Sequence, residues 1–427
     1  MTEGTTVIVG AGAVLDFSHK GISPSVKNLT DEVLKLKVQK VDGSYGSLIR
    51  DINDIIVNRL KTVGNPEVRR LFPPQLNFED LLHVLEMCLS YSSCWHDEYL
   101  HWTLFPPFGT LIEPNTILKD VDTVEYSRAA YALEEKVMEI VNQYDTAFRE
   151  ETDLELWYRN FWRSMGRMNI FTLNYDSTIE ESIQNYEDGF GTMSDAEGYS
   201  RFSPGEYYDN IEGKTTIAHL HGSILFSEAK NFPFEYSIRD LVKNKDFDTA
   251  SNNRRLAQTA PRTQAKEEFV QPYIISGSRK TEKMVDTPYN VYLSDLTRRV
   301  IENNRLLIIG YSFGDLYLNE ILGLGLAVHG DDFKVMIVDK YPSYINDYPS
   351  LYQHLLHHCN HGMFSFISRI AKDRLAIEPG QKEFPIVVKD YNTPIVSKNG
   401  NLMICMTGFK DAVLNHSAEM KVFLSTQ

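Results

Sequence analysis

The sequence predicts an α/β fold: a doubly wound, parallel, Rossmann-like sheet with an inserted all-helical subdomain and a short C-terminal tail. Three observations carry that expectation. Short apolar runs recur that read as buried parallel strands, at Thr5–Val9, Met168–Leu173, Thr215–Leu220, Tyr273–Ile275, Arg305–Ile309 and Lys334–Val338. Helical patterns alternate with the last three, at about Tyr289 to Asn303 and Asp315 to Ala327, as in βαβ units. Finally, polar or glycine-bearing turns follow the strands, and open α/β sheets bind ligands at such carboxyl ends.

In chain order, the first strand enters Gly10-Ala-Gly12, and a helix begins near Asn28 or Thr30. From about Tyr45 to Gly166 the pattern is helical throughout. Leu48, Ile49, Ile52, Ile55, Ile56 and Leu60 fall on one stripe; Phe78, Leu81, Leu82, Leu85 and Leu89 fall on another, with Asn77 as its N-cap. Longer patterns cover Tyr126 to Phe148 and Leu154 to Trp162, and Pro73-Pro74 and Pro106-Pro107 break the block. The expected organisation is a sheet domain over residues 1–380, interrupted by a helical insertion at 45–166, then a tail at 381–427 suited to assembly. Ser177 should cap a helix running to about Asn185, and Phe226 to Gln271 reads as an irregular polar excursion. The tail offers strand-like pieces at Pro385–Val388 and Leu402–Met406, then a small helix.

With 427 residues, 42% hydrophobic and 24% charged, the chain can bury a substantial core. No apolar stretch reaches the roughly 18 residues of a membrane span, and no signal segment precedes the first strand. The expectation is a cytoplasmic protein without membrane attachment. A formal charge of -15 argues against direct nucleic-acid binding, which cation release drives. The local exception is the basic segment Arg254 to Lys283, either a solvated loop or a cap over ligand phosphates or a partner contact. Cys88, Cys94, Cys359 and Cys405 include no C-x-x-C pair, so no metal is expected.

Four segments carry candidate chemistry. Gly10-Ala-Gly12 lacks the third glycine of a dinucleotide fingerprint, since Leu15 stands there, but Gly310-Tyr-Ser-Phe-Gly-Asp315 supplies a second glycine turn. Two such turns suit the two halves of a dinucleotide, because free amides and close backbone approach are needed there. Ser312 can donate to phosphate, and Asp315 reads equally as a helix cap. Asn174 and Asp176 are either turn formers or reactive groups held on a rigid strand. His221, followed by Gly222 that leaves room for a ligand, is the candidate imidazole; His219 reads as structural.

This motif set resembles the sirtuin-like NAD-binding family over about Val7 to Asp339. The segments that match are Gly10-Ala-Gly-Ala13, Thr172-Leu-Asn-Tyr-Asp176, His221-Gly222 and Gly310-Tyr-Ser312. Asn77-Phe-Glu-Asp80, Ile275-Ser-Gly277, Arg279-Lys280 and Gly310 to Asp315 look more like its bacterial branch of NAD-consuming anti-phage effectors. Between Gly222 and Gly310 no cysteine occurs, so the zinc module of the deacylases is missing. Gly21-Ile-Ser-Pro-Ser25 also lacks their Phe-Arg. The resemblance therefore implies an NAD+ hydrolase; the alternatives are an NAD-dependent protein deacylase and a non-catalytic NAD or ADP-ribose sensor. It implies Asn174, His221 and Asp176 as catalytic, and Gly10, Ala11, Gly12, Ala13, Asp16, Phe17, Thr172, Gly310, Ser312 and Asp339 as NAD-binding. The acidic surface, helical insertion and C-terminal tail suit control through a homo-oligomer or a complex, and the resemblance implies a partner of the HerA-type ATPase class.

Overall fold

A computed structural model describes residues 4–17, 24–62, 75–93, 121–150, 155–183, 185–194, 197–228, 241–259, 273–277, 280–340, 392–397 and 399–425, with 366 and 370. Its frame is an eight-stranded sheet in the order β12-β13-β11-β10-β1-β4-β7-β5. The strands are β1 (Thr5–Val9), β4 (Met168–Thr172), β5 (Tyr186–Glu187), β7 (Thr215–His219), β10 (Arg305–Ile309), β11 (Lys334–Val338), β12 (Ile395–Val396) and β13 (Leu402–Cys405). Only β12 runs antiparallel. The expected doubly wound α/β sheet is present. The chain builds outward from β1 through β4 and β7, then returns to β10 on β1's other side. The carboxyl ends of β1 and β10 are thus the topological switch point.

Alternation along the strands sends side chains to two layers. Ile8, Ala218, Leu306, Ile308, Val335 and Ile337 pack under α10 (Tyr289–Glu302) and α11 (Leu316–His329). Val7, Val9, Ile170, Ile217, Leu307, Ile309, Met336 and Val338 face α5 (Glu155–Ser164) and α12 (Phe409–Ser425). Both faces are covered, which explains why these strands are apolar nearly throughout.

The helical block contains α2 (Leu48–Thr62), α3 (Phe78–Ser93) and α4 (Thr123–Glu150). Its core merges with Tyr175, Ile224, Ile274, Ile275 and Tyr289, so the block sits on the carboxyl end of the sheet. Asn77 caps α3 as its spacing suggests: its Oδ1 accepts from Asp80 N at 2.8 Å, and its own N donates back to Asp80 Oδ2 at 3.3 Å. The block is not separate along its whole length. Tyr144 and Phe148 of α4, and α5 itself, pack in the sheet's own layer.

Three expectations change. Within the expected tail, the described residues 392–397 and 399–425 are not set apart from the sheet: β13 pairs in parallel with β11, and α12 buries Phe409, Ala412, Met420, Phe423 and Leu424 against it. Pro385–Val388 lies outside the described residues. Tyr273–Ile275 is not a strand of the main sheet; it makes an isolated antiparallel bridge, Gly222↔Ile274. The described residues between Phe226 and Gln271 are more regular than their polarity suggests. Strands β6 (Tyr199–Arg201), β8 (Phe226–Glu228) and β9 (Leu241–Asn244) form a three-stranded antiparallel sheet, followed by α8 (Phe247–Thr259).

Candidate functional site

Asn174 and His221 stand at the ends of neighbouring strands. β4 and β7 pair at Thr172↔His219, and each candidate lies two residues beyond that pair. The chain turns sharply after both strands. Leu220 N donates to Thr172 O at 2.9 Å, and Thr172 Oγ1 accepts from Asn174 N at 3.1 Å. Thr172, expected at the dinucleotide, therefore braces the turn that presents Asn174. Both candidates are buried, at 7% and 4% exposure. Among the described residues, Asn174 Nδ2 and His221 Nε2 have no hydrogen-bond partner. A buried unpaired polar group costs about 1–3 kcal/mol, so the bare amide of Asn174, at the strand tip beside His221, marks a place built for a polar ligand.

The neighbouring histidine behaves differently. His219 Nε2 meets Glu180 Oε1 at 2.6 Å and Nδ1 meets Asn174 O at 3.1 Å, so its ring is saturated and structural, as read from the sequence. The imidazole and Lys243 hold the Glu180 carboxyl down at about 2 against its burial, and Glu180 in turn raises His219.

Asp176 does not share the state of Asn174. Its Oδ1 accepts from Thr178 N at 3.2 Å and Thr178 Oγ1 at 2.5 Å, at the start of α6 (Thr178–Ser182). Burial raises its pKa, and the nearby Asp145 carboxyl is raised too. Ser177 does not cap α6 through its side chain, because its hydroxyl donates to Asp145 Oδ2 at 2.6 Å. α6 is correspondingly short.

The glycine turns meet directly. A Cβ on Gly10 would lie 2.5 Å from Gly310 O, and one on Gly310 would lie 2.2 Å from Ala13 N. Gly12 N donates to Gly310 O, Gly10 N to Ile309 O, and Ala13 N to Gly10 O. Their amides are engaged within the fold, so the expectation of free amides at Gly10, Gly12 and Ala13 is corrected. The glycines are there because two backbones touch. Ala11 and Ser312 are left exposed at the apices. Gly222 is a similar correction: its φ is +88° and its missing Cβ would lie 2.0 Å from Tyr273 O, so it admits the 273–275 segment and not a ligand.

Asp16 lies in the 3-10 turn Ala11–Phe17 and serves the C-terminal region. Its Oδ1 accepts from Lys340 Nζ at 2.8 Å and its Oδ2 from Lys410 N at 3.1 Å. The Phe17 side chain lies outside the described atoms. Asp339 follows β11, with Oδ1 accepting from Lys340 N at 2.8 Å, and burial lifts its carboxyl to about 6.

Three charged residues join His221 that the sequence reading had not placed in the site. Asp315 holds the N-cap position of α11 but makes no capping bond with its side chain. Its Oδ2 instead lies 3.6 Å from His221 Nε2, and its Oδ1 3.2 Å from Lys280 Nζ. Lys280, at the start of α9 (Lys280–Lys283), also reaches Glu79 Oε2 of α3 at 3.2 Å. Burial, then the Lys280 cation, push the His221 imidazole down to about 3, with Asp315 opposing. The ring is therefore neutral at ordinary pH and does not titrate in the usual histidine range, as its residue type alone had suggested. All three residues belong to motifs visible in the sequence; what was missing was that they converge.

The basic segment splits. Arg254 is fully buried and donates to Ile224 O and Phe226 O, and Lys283 pairs with Glu86. Arg262, Lys266 and Arg279 lie outside the described residues. No group of three or more His, Cys, Asp or Glu among the described residues is arranged to hold a metal ion, and no helix among them is long and apolar enough to cross a membrane.

No curated protein matches the chain at a significant level. Residues 168–356 match the family described as SIR2-like domain, a stretch containing Asn174, Asp176, His221, Gly310, Ser312 and Asp339 but not the Gly10–Gly12 turn. SIR2-like domains bind NAD+ and are commonly NAD-dependent enzymes. The adjacent strand tips that present an unpaired amide and a neutral imidazole thus lie within the stretch that matches a SIR2-like domain.

Proposed function

We propose that the chain hydrolyses NAD+ to nicotinamide and ADP-ribose. The observation that carries this reading is the buried, unpartnered Asn174 Nδ2 beside the neutral imidazole of His221, at neighbouring strand ends within a SIR2-like domain. The substrate brings a cationic leaving group, so cleavage needs no general acid. Hydrolysis breaks the C1'–N bond, whose electron pair departs on nicotinamide; the oxygen of water bonds to C1', and a water proton is released. Asn174 holds the ribose hydroxyl or the water through its amide. His221 enters neutral and takes up the proton. Burial of both groups keeps bulk water from competing for them. Asp176 is the group for the carboxamide of nicotinamide, and Ala11 and Ser312 are exposed positions of the two glycine turns for the phosphates.

An NAD+ hydrolase that ran unchecked would deplete its host, so the reading extends to an anti-phage effector held inactive until triggered. Control would come through a homo-oligomer or a partner of the HerA-type ATPase class. The test is nicotinamide release from NAD+ by the full chain, alone and with the neighbouring gene's product. Asn174→Ala and His221→Ala should each reduce release by at least about 100-fold, the usual scale for such groups, with unchanged circular dichroism. Full activity in both variants ends the assignment. Binding of NAD+ without nicotinamide accumulation would leave a sensor in its place.

A further inference from the structure

The chain His221–Asp315–Lys280–Glu79 links the candidate imidazole to the helical block through four side chains from four separate elements. Asp315 stands between two suitors. Lys280 Nζ lies at 3.2 Å and His221 Nε2 at 3.6 Å, the second beyond hydrogen-bond reach. Lys280 in turn has a second anchor, Glu79 of α3, at 3.2 Å. Asp315 is poorly employed as a plain structural residue, since it occupies an N-cap position without capping. The loop that carries it is nonetheless rigidly set. Tyr311 Oη accepts from Asp315 N at 3.2 Å, Asn319 Nδ2 donates to Phe313 O at 2.9 Å, and Phe313 is held fully buried at a φ of +57°. A bulky residue in the left-handed region costs about 1–3 kcal/mol and persists only where the surroundings impose it.

We propose that Asp315 is the positioning residue for His221, and that Lys280, pinned to Glu79 of the helical block, draws it away and keeps the imidazole in reserve. This rests on the hydrolase reading. A carboxylate beside a neutral imidazole favours the tautomer with its proton on the facing nitrogen. Asp315 therefore places the proton on Nε2 and leaves Nδ1 as the nitrogen with a free lone pair. In the geometry observed the Lys280 contact is the shorter one, so the Asp315–His221 bond is incomplete. Displacement of α3 or α9 by a partner would release Lys280 and let the carboxylate close on the ring. Among the described residues, the charged and titratable groups around His221 are then Asp315 and Lys280, with Glu79 and the Tyr175 hydroxyl beyond them.

The test uses three full-length variants, Asp315→Asn, Lys280→Met and the double substitution, each checked by circular dichroism and thermal melting. Asp315→Asn should lower kcat for nicotinamide release by about 10- to 100-fold, the scale of losing a carboxylate behind an imidazole, with KM for NAD+ within about twofold. Lys280→Met should raise kcat several-fold in the chain alone, and the double variant should behave as Asp315→Asn. A purely structural ion pair predicts instead that both single variants lose activity together. Folded Lys280→Met with reduced kcat, or Asp315→Asn with full kcat, overturns the proposal. The imidazole of His221, followed by nitrogen NMR in the same proteins, separates this from failure of the hydrolase reading. If the wild type releases no nicotinamide, His221 resonances that move between wild type and both variants keep the coupling, and unmoved resonances refute it.

Discussion

At the scale of single residues, two histidines two positions apart are assigned opposite states by their neighbours. His219 is flanked by Glu180 and bonded at both nitrogens, whereas His221 faces Lys280 and has an unpartnered Nε2. The consequence for pH is directional. Free imidazole titrates near about 6.5, while His221 in the fold titrates at about 3. As pH falls below about 6.5 the unfolded chain takes up a proton that the native ring refuses, so stability is lost across that window. Chemical denaturation of His221→Gln should therefore show a shallower loss of stability between about pH 6 and pH 4 than wild type. Equal slopes would show that the ring is not held neutral. Glu180 works in the same direction lower down. Its depressed carboxyl adds stability that is present above about 4.3, the free value, and is lost towards about 2. Glu180→Gln removes the partner of a buried imidazole and should cost about 3 kcal/mol at neutral pH, read from the urea midpoint. A change under about 1 kcal/mol would show that Lys243 and solvent leave the pair little net worth.

At the scale of elements, the switch point is made by two turns that fit only as glycine on glycine. Gly310 has a φ of +60° and faces Ala13 N and Gly12 at contact distances no Cβ permits. Gly310→Ala should destabilise by at least about 3 kcal/mol. Gly43→Ala is its control: φ is +85° there but nothing lies within 4 Å of the added carbon, so the cost should be about 1 kcal/mol. Similar losses at the two positions would mean that contact between the turns contributes nothing. These turns were legible as turns but not as partners. A glycine that makes room for a ligand and one that makes room for another backbone have the same sequence signature. The strands β1, β4, β7, β10 and β11 were legible because both sheet faces are covered, which demands unbroken apolar runs. β6, β8 and β9 were not, since three or four residues with mixed polarity become strands only through remote pairing.

At the scale of the whole molecule, the C-terminal region completes the sheet that carries the site. β13 covers the edge of β11, and α12 lies over the face that also holds α5. Asp16, beside the first glycine turn, bonds Lys410 N at the start of α12. Truncation after residue 390 should therefore expose a parallel strand edge and a large apolar face. The expected outcome is insoluble protein, checked by size exclusion of the expressed fragment; a soluble monomer that melts like the full chain would show that the region is dispensable.

The sequence by itself determined the sheet, its winding and the two strand tips that bear Asn174 and His221. Those features depend on local periodicity and on residue types that only a few environments accept. Tertiary structure alone decided which glycines serve packing, that Asp16 ties down the C-terminal helix, and that Glu79, Lys280 and Asp315 gather on one imidazole. Such convergences join positions hundreds of residues apart, and charge, burial and protonation are properties of the shared space that no single segment contains.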